Sequence, residues 1–135
     1  MNRAILLSFS LLVGISAYAA TPQELIQSYS KIAAAERAGF IASAPRGASL
    51  FGQKFGKSTD MPSCTACHTA NPVSAGQHVV TGKAIKPLAP ASESTRFSNL
   101  DKVEKWFRRN CTEVIGRECT AGEKADFVSY LAEAK

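Results

Sequence analysis

Residues 64–68 of the chain read Cys64-Thr65-Ala66-Cys67-His68. This C-x-x-C-H spacing puts two thiols on one short helical turn, where both can form thioether bonds to the vinyl groups of a haem, and His68 can then reach the iron. A thioredoxin-like redox pair would need a βαβ context, and a zinc site would need a second C-x-x-C or H-x-x-x-H pair. The motif therefore predicts one covalent haem c, attached through Cys64 and Cys67, with His68 as an axial iron ligand.

The first 19 residues have the composition of a secretory signal peptide. Arg3 is their only charged residue, an apolar run extends from Ala4 to Val13, and residues 17–19 have the small-x-small pattern of a signal-peptidase site. We expect residues 1–19 to be removed and residues 20–135 to form one mature domain in the periplasm. No later apolar run is long enough to span a bilayer, so we expect no transmembrane segment after cleavage.

The composition of the chain excludes some functions and raises a question about its core. The formal net charge of the 135 residues is +5. The basic residues do not cluster and the chain is expected to be exported, so a nucleic-acid partner is not expected. Leu, Ile, Val and Phe make up only roughly a fifth of residues 20–135, near the level at which a chain struggles to build a core alone. We therefore expect a cofactor, crosslinks or a partner to supply part of the core.

Two capping boxes mark the beginnings of the first and last predicted helices. Residues 21–24, Thr-Pro-Gln-Glu, combine a capping box with proline at the first helical position, and Gly39 suits the end of that helix. Residues 120–123, Thr-Ala-Gly-Glu, form the second capping box. We read both as helix starts.

The segments between these helices are less regular. A short helix is predicted from about Arg46 to Phe55, and another from near Ser98, with Asp101 at its third position. Residues 71–97 are interrupted by prolines and glycines and show no convincing strand. We interpret them as an ordered irregular loop that wraps the edge of the haem.

The second axial ligand of the iron is less clear from spacing alone. Small cytochromes c usually use a methionine downstream of the haem motif, but the methionines here are Met1 and Met61, both upstream. His78 could be a ligand or an ordinary loop histidine. Asn110 lies on the apolar face of the third helix, where its amide could reach iron or could cap the helix C-terminus. Lys83, Lys86 and Arg96 are candidates for pairing with haem propionates.

The other two cysteines, Cys111 and Cys119, are separated by seven residues and have no histidine beside them. In an oxidising compartment such a pair favours a structural disulfide.

Several longer stretches resemble a known family. They are residues 81–90 (TGKAIKPLAP), 96–111 (RFSNLDKVEKWFRRNC) and 115–126 (IGRECTAGEKAD), together with the haem motif. This pattern is similar to the sphaeroides haem protein group of class I c-type cytochromes, to which cytochrome c double-prime is related. The resemblance covers about residues 46–134.

The resemblance implies an all-α class I cytochrome c fold, with helices around one covalently bound haem. It implies His68 as the proximal ligand and a Cys111–Cys119 disulfide. It also implies Asn110 as the distal ligand, because an asparagine precedes the first disulfide cysteine in the sphaeroides group, whereas cytochrome c double-prime has histidine there. His78 matches no ligand position of the family. The family's asparagine dissociates on reduction, and the ferrous haem can then bind oxygen, nitric oxide or carbon monoxide.

Three functional hypotheses follow. The first is a periplasmic monohaem cytochrome that accepts electrons from a membrane-bound or dihaem cytochrome and opens its haem site to oxygen or another diatomic ligand when reduced. The second is a simple electron carrier with His68 and His78 as axial ligands. The third is a haem enzyme that reduces or scavenges oxygen or nitrogen oxides, which an open site permits without establishing. We favour the first, a carrier and ligand-binding protein rather than an enzyme.

Overall fold

The structure is a computed structural model that describes residues 20–135, so the predicted signal peptide at residues 1–19 lies outside the described residues. Within residues 20–135, five α-helices, a two-stranded hairpin and one π-helical turn follow each other. In order they are α1 (Pro22–Glu36), α2 (Ala44–Gly52), α3 (Thr65–His68), β1 (Gly76–Gln77), β2 (Ala84–Ile85), α4 (Leu100–Asn110), the π-turn (Cys111–Ile115) and α5 (Ala121–Glu133).

Both predicted capping boxes are confirmed. The Thr21 hydroxyl accepts a hydrogen bond from the Glu24 backbone N–H at 3.2 Å, and the Glu24 carboxylate accepts one from the Thr21 N–H at 2.8 Å. Thr120 and Glu123 form the same reciprocal pair at the start of α5. Each box satisfies backbone donors that the first helical turn leaves unpaired, so local sequence alone specifies where α1 and α5 begin.

The core lies where the first and last helices meet. Leu25 and Tyr29 from α1 pack with Val103 from α4 and with Ala125 and Val128 from α5, and all five are buried. Because these residues lie near both ends of the described chain, the fold is closed by contacts between distant segments.

A second apolar contact joins α2 to α5. Phe51 is only 2% exposed, and its ring centroid lies 6.0 Å from that of Phe127 and 5.6 Å from that of Tyr130. Gly47 lies so close to α5 that a Cβ atom at this position would overlap the backbone carbonyl of Asp126. The absence of a side chain at Gly47 therefore allows the two helices to approach.

The start of α2 is fixed by a buried carboxylate on α5. Asp126 is 6% exposed and accepts hydrogen bonds from the Ser43 backbone N–H and from Arg46 Nε, both at 2.7 Å. Ser43 is the N-cap, and the helix spans Ala44–Gly52, so the predicted range from Arg46 to Phe55 began and ended too late.

Two further sequence expectations need correction. We placed Asp101 at the third position of α4, but the N-cap is Asn99, whose side chain accepts from the Lys102 N–H at 2.8 Å. The Ser98 hydroxyl instead donates to the Thr95 carbonyl. No strand was expected, yet β1 and β2 pair antiparallel with Gly76 opposite Ile85. Two-residue strands are too short to show an alternating pattern.

In residues 20–135, no helix combines the length and apolar character needed to cross a membrane.

Candidate haem site

The haem motif lies on α3, a single helical turn. Cys64 precedes the turn, and its carbonyl accepts backbone hydrogen bonds from Cys67 at 3.3 Å and from His68 at 3.1 Å. Cys64 and Cys67 are half-buried and form no disulfide. Thr69 has φ +60° and ends the helix. The turn therefore brings together the three side chains that the sequence assigned to haem attachment and ligation.

The surroundings of this turn shift the pKa values of Cys64 and His68. Burial raises the pKa of the Cys64 thiol to about 11. Burial lowers the pKa of His68 to about 4, and the positive charge of Arg96 and the nearby His78 contribute to the same shift. His68 is therefore neutral near pH 7, which is the form of imidazole that binds a metal.

The hairpin formed by β1 and β2 packs directly against the haem motif. A Cβ atom on Gly76 would overlap the carbonyl oxygen of Cys67, so only glycine permits this approach. The Val79 backbone N–H donates to Cys67 Sγ at 3.4 Å. Gly76 was visible in the sequence only as one of two glycines in an irregular segment, and no sequence signal indicated the contact of Val79 with Cys67.

Asn110 is the last residue of α4, and its side chain is half-buried. Its backbone is right-handed helical, with φ −68° and ψ −39°, and the helix continues into the π-turn. Asn110 is therefore not a left-handed C-cap of α4, which was the alternative reading of this residue. The left-handed residue that ends this segment is Gly116, with φ +91°.

A disulfide joins Cys111 and Cys119 in the structure, with a Cα–Cα distance of 5.6 Å. Cys111 is buried and opens the π-turn, and its carbonyl accepts the Gly116 backbone N–H at 3.1 Å. The residue after Asn110 is therefore held by a covalent bond and a hydrogen bond. The π-turn itself had no sequence signal.

The sequence of the chain is similar to known c-type cytochromes. A family described as a domain of unknown function, DUF1924, matches residues 37–131. The cytochrome c-type protein SHP of Cereibacter sphaeroides is 45% identical over 133 residues, 98% of each protein. Cytochrome c'' of Methylophilus methylotrophus is 39% identical over 111 residues, which are 81% of this chain and 77% of that protein. The chain belongs to this family of c-type cytochromes.

Solved structures of the same two proteins share the fold. The structure of oxidized SHP, described as an oxygen binding cytochrome c, matches 83% of this chain and 96% of its own, with 48% identity and a TM-score of 0.75. The crystal structure of oxidized cytochrome c'' matches 84% and 94%, with 35% identity and a TM-score of 0.77. The predicted all-α cytochrome c fold is confirmed, and this cytochrome carries covalently bound haem c.

An arginine beside the haem motif fits that cofactor. Arg96 is half-buried and donates from Nε to the Pro87 carbonyl and from Nη2 to the Lys86 carbonyl, both at 2.7 Å. Both acceptors are neutral, and the neighbouring Glu93 pairs with Lys86 at 2.7 Å. In residues 20–135, no carboxylate lies at ion-pair distance from Arg96. A half-buried guanidinium favours an anionic partner, and the propionates of haem c supply carboxylates.

His78 lies in the loop between β1 and β2, in the hairpin that packs against the haem motif. Its Nδ1 atom accepts backbone hydrogen bonds from Val80 at 3.2 Å and Thr81 at 3.3 Å. The next residue, Val79, contacts Cys67. His68 of this cytochrome thus lies in the haem motif, and His78 lies in the hairpin that contacts the motif.

A polar network fixes the helix that carries Asn110. The Tyr29 hydroxyl donates to the Glu104 carboxylate at 2.5 Å, and Lys124 Nζ pairs with the same carboxylate at 2.7 Å. Burial, then the hydrogen bond to Glu104, raises the pKa of Tyr29 well above its usual value, so the phenol stays a donor. The network joins α1, α4 and α5 and was not predicted, because its members are far apart in the sequence.

Proposed function

We propose that this chain is a periplasmic monohaem cytochrome that transfers electrons and, when reduced, leaves an iron position open to oxygen or another diatomic ligand. The observation that carries the proposal is the place of Asn110, at the end of α4 and directly before the Cys111–Cys119 disulfide. The family resemblance implies a distal ligand at this position, which supports the proposal. The description of SHP as an oxygen binding cytochrome c supports ligand binding.

His68 is the proximal ligand in this proposal. Its pKa of about 4 leaves the imidazole uncharged at neutral pH, with a nitrogen lone pair available to the metal. Cys64 and Cys67 tie the cofactor to the same helical turn, which fixes the side from which His68 approaches. When bound, haem c supplies an iron that gains and loses one electron.

Asn110 is the distal ligand and the redox-dependent element. Its amide oxygen is a neutral, hard donor, which binds ferric iron better than the more electron-rich ferrous iron. Reduction therefore favours its release. Cys111 is held by the disulfide and by Gly116, so the side chain of Asn110 can move while its backbone stays in place. The chain has no methionine after the haem motif to take the position instead.

The competing arrangement, with His68 and His78 as the two axial ligands, has less support. A second axial ligand must approach iron from the side opposite the first. His78 lies between Gly76, which packs on Cys67, and Val79, whose backbone N–H donates to Cys67 Sγ. His78 is therefore held beside the same turn that carries His68. Its Nδ1 is also engaged by two backbone donors.

The cellular setting of the proposal comes from the sequence. The signal-peptide pattern of residues 1–19 supports export of the mature protein to the periplasm. Its electron donor there would be another cytochrome, either membrane-bound or dihaem.

Optical spectra of the purified holoprotein test the proposal. We expect a six-coordinate ferric form and a five-coordinate ferrous form whose Soret band shifts when carbon monoxide is added. A ferrous form that stays six-coordinate and does not respond to carbon monoxide would refute the open site.

Two variants identify the distal ligand. Asn110→Ala should change the ferric spectrum while the ferrous spectrum and its response to carbon monoxide stay the same, because the amide is bound only in the ferric state. His78→Ala is the matched control and should leave both spectra unchanged. The opposite pattern, with His78→Ala altering the ferric spectrum and Asn110→Ala silent, would establish the arrangement with two histidines.

A further inference from the structure

The loop between β1 and β2 presents two exposed aliphatic side chains. We call residues 78–83 the hairpin tip. Within it, Val79 is 49% exposed and Val80 is 61% exposed. Adjacent exposed valines on a short polar hairpin form an apolar patch that the fold itself does not cover.

The hairpin tip lies next to the point where haem is attached. The Val79 N–H donates to Cys67 Sγ at 3.4 Å. In a c-type cytochrome this sulfur is bonded to the haem, so Val79 is one hydrogen bond away from an atom joined to the redox centre. A protein that contacts the hairpin tip therefore comes close to the haem through Cys67.

The hairpin tip is also held in one conformation. Its ends are joined by backbone hydrogen bonds from Gly82 to the His78 carbonyl and from His78 to the Lys83 carbonyl, both at 2.8 Å. Gly82 adopts φ +68° in the turn. Such a patch needs little ordering when a partner binds, which lowers the entropic cost of association.

The charged side chain within the hairpin tip is a cation, Lys83. Residues 61–92 contain no aspartate or glutamate, and their cationic side chains include Lys83, which is exposed and forms no ion pair with any residue in 20–135. On α4, Arg109 pairs with Glu113 and Arg108 lies 3.9 Å from Glu118, whereas Lys102 and Lys105 are exposed and form no ion pair within residues 20–135. Lys83 therefore remains available to an acidic partner.

We propose that the hairpin tip is the docking surface for an acidic one-electron carrier protein, with Val79 and Val80 as its apolar centre and Lys83 as its charged contact. The proposal rests on the electron-transfer part of the proposed function. One electron passes from the reduced partner to the ferric haem, and the partner is oxidised by that one electron. Unlike charges accelerate the encounter, and the apolar contact holds the complex together.

Stopped-flow reduction of the ferric holoprotein by flavodoxin hydroquinone, an acidic one-electron carrier, tests this surface. Lys83→Glu should lower the second-order rate constant about tenfold at low ionic strength, with the difference shrinking at high salt. Lys31→Glu is the control, because it makes the same change in net charge at an exposed site on α1 and should have a smaller effect.

The apolar contact has its own pair of variants. Val80→Ser should lower the rate constant about threefold at all salt concentrations, whereas Ile41→Ser, at a residue 78% exposed outside the hairpin tip, should leave it unchanged. Reduction by dithionite at high ionic strength, where charge is screened and no docking is needed, should be equally fast in all variants.

The outcomes separate this surface from the function on which it rests. Equal rate constants for Lys83→Glu and Lys31→Glu, or for Val80→Ser and Ile41→Ser, with normal dithionite reduction, would overturn the docking surface alone. A haem that neither reductant can reduce would overturn electron transfer and the surface together.

Discussion

Replacing Gly47 with alanine tests the close contact between α2 and α5. The added Cβ atom would overlap the Asp126 carbonyl and would lie 2.9 Å from the Cβ of Tyr130. Relieving this overlap requires α2 to move, and overpacking of this kind costs about 1–3 kcal/mol. Alanine recovers about 0.5–1 kcal/mol through its better helix propensity. We therefore expect Gly47→Ala to lower the free energy of unfolding by about 1–2 kcal/mol.

Gly52, in the same helix, provides the matched control. A Cβ atom at Gly52 would meet nothing within 4 Å, and the residue is exposed. The better helix propensity of alanine is then the only effect, so Gly52→Ala should raise the free energy of unfolding by up to about 1 kcal/mol. The two variants make the same chemical change five positions apart and should have opposite signs.

Urea unfolding of the ferric holoproteins, followed by far-ultraviolet circular dichroism, measures both effects. With a slope of about 1–2 kcal/mol per molar urea, Gly47→Ala should move the unfolding midpoint down by about 1 M, and Gly52→Ala should move it slightly up. Unfolding midpoints that shift equally in the two variants would refute the contact between Gly47 and Asp126.

Further predictions concern the disulfide, a carboxylate and the hairpin. Replacing both Cys111 and Cys119 by serine should lower the free energy of urea unfolding by about 2.5 kcal/mol, the chain-entropy value for their separation of 8 residues; no change would show that the crosslink does not constrain the unfolded chain. Burial raises the pKa of Glu104, but hydrogen bonds from its two partners and nearby positive charge outweigh this and hold it below its usual value. Glu104→Gln should therefore lower the free energy of unfolding near neutral pH. This difference in unfolding free energy from the native protein should shrink as pH falls below about 4.5. Unfolding free energies measured against pH test this, and a difference independent of pH would contradict it. Gly76→Ala should push the hairpin away from the haem motif and lower the unfolding midpoint, whereas Gly56→Ala, at a site with open space, should not; equal midpoints would argue against this packing.

Features encoded by neighbouring residues could be predicted from the sequence. The capping boxes at Thr21 and Thr120 each need only four residues, and the haem motif needs five. The start of α4 was displaced by one position because Ser98 and Asn99 are both good N-caps. The structure distinguishes them through Thr95, whose carbonyl accepts the Ser98 hydroxyl and leaves Asn99 to cap the helix.

Features that depend on distant residues could not be predicted in this way. Neither the approach of Gly47 to Asp126 nor the bonds of Glu104 with Tyr29 and Lys124 has a local pattern. The same limit applied to the candidate site. Spacing left several distal ligands open, and the preference for Asn110 came from the family resemblance; its role as a ligand remains a prediction.

The meeting of α1 with α5 also constrains the order in which the molecule can be assembled. Leu25 and Tyr29 leave the ribosome about 100 residues before their partners Ala125 and Val128. The core therefore cannot close until Val128 has been synthesised, and folds dominated by such distant pairings form slowly. The segment containing Cys64 and Cys67 lies between these ends. We expect an interval during biosynthesis in which both thiols are accessible for covalent attachment before this core closes.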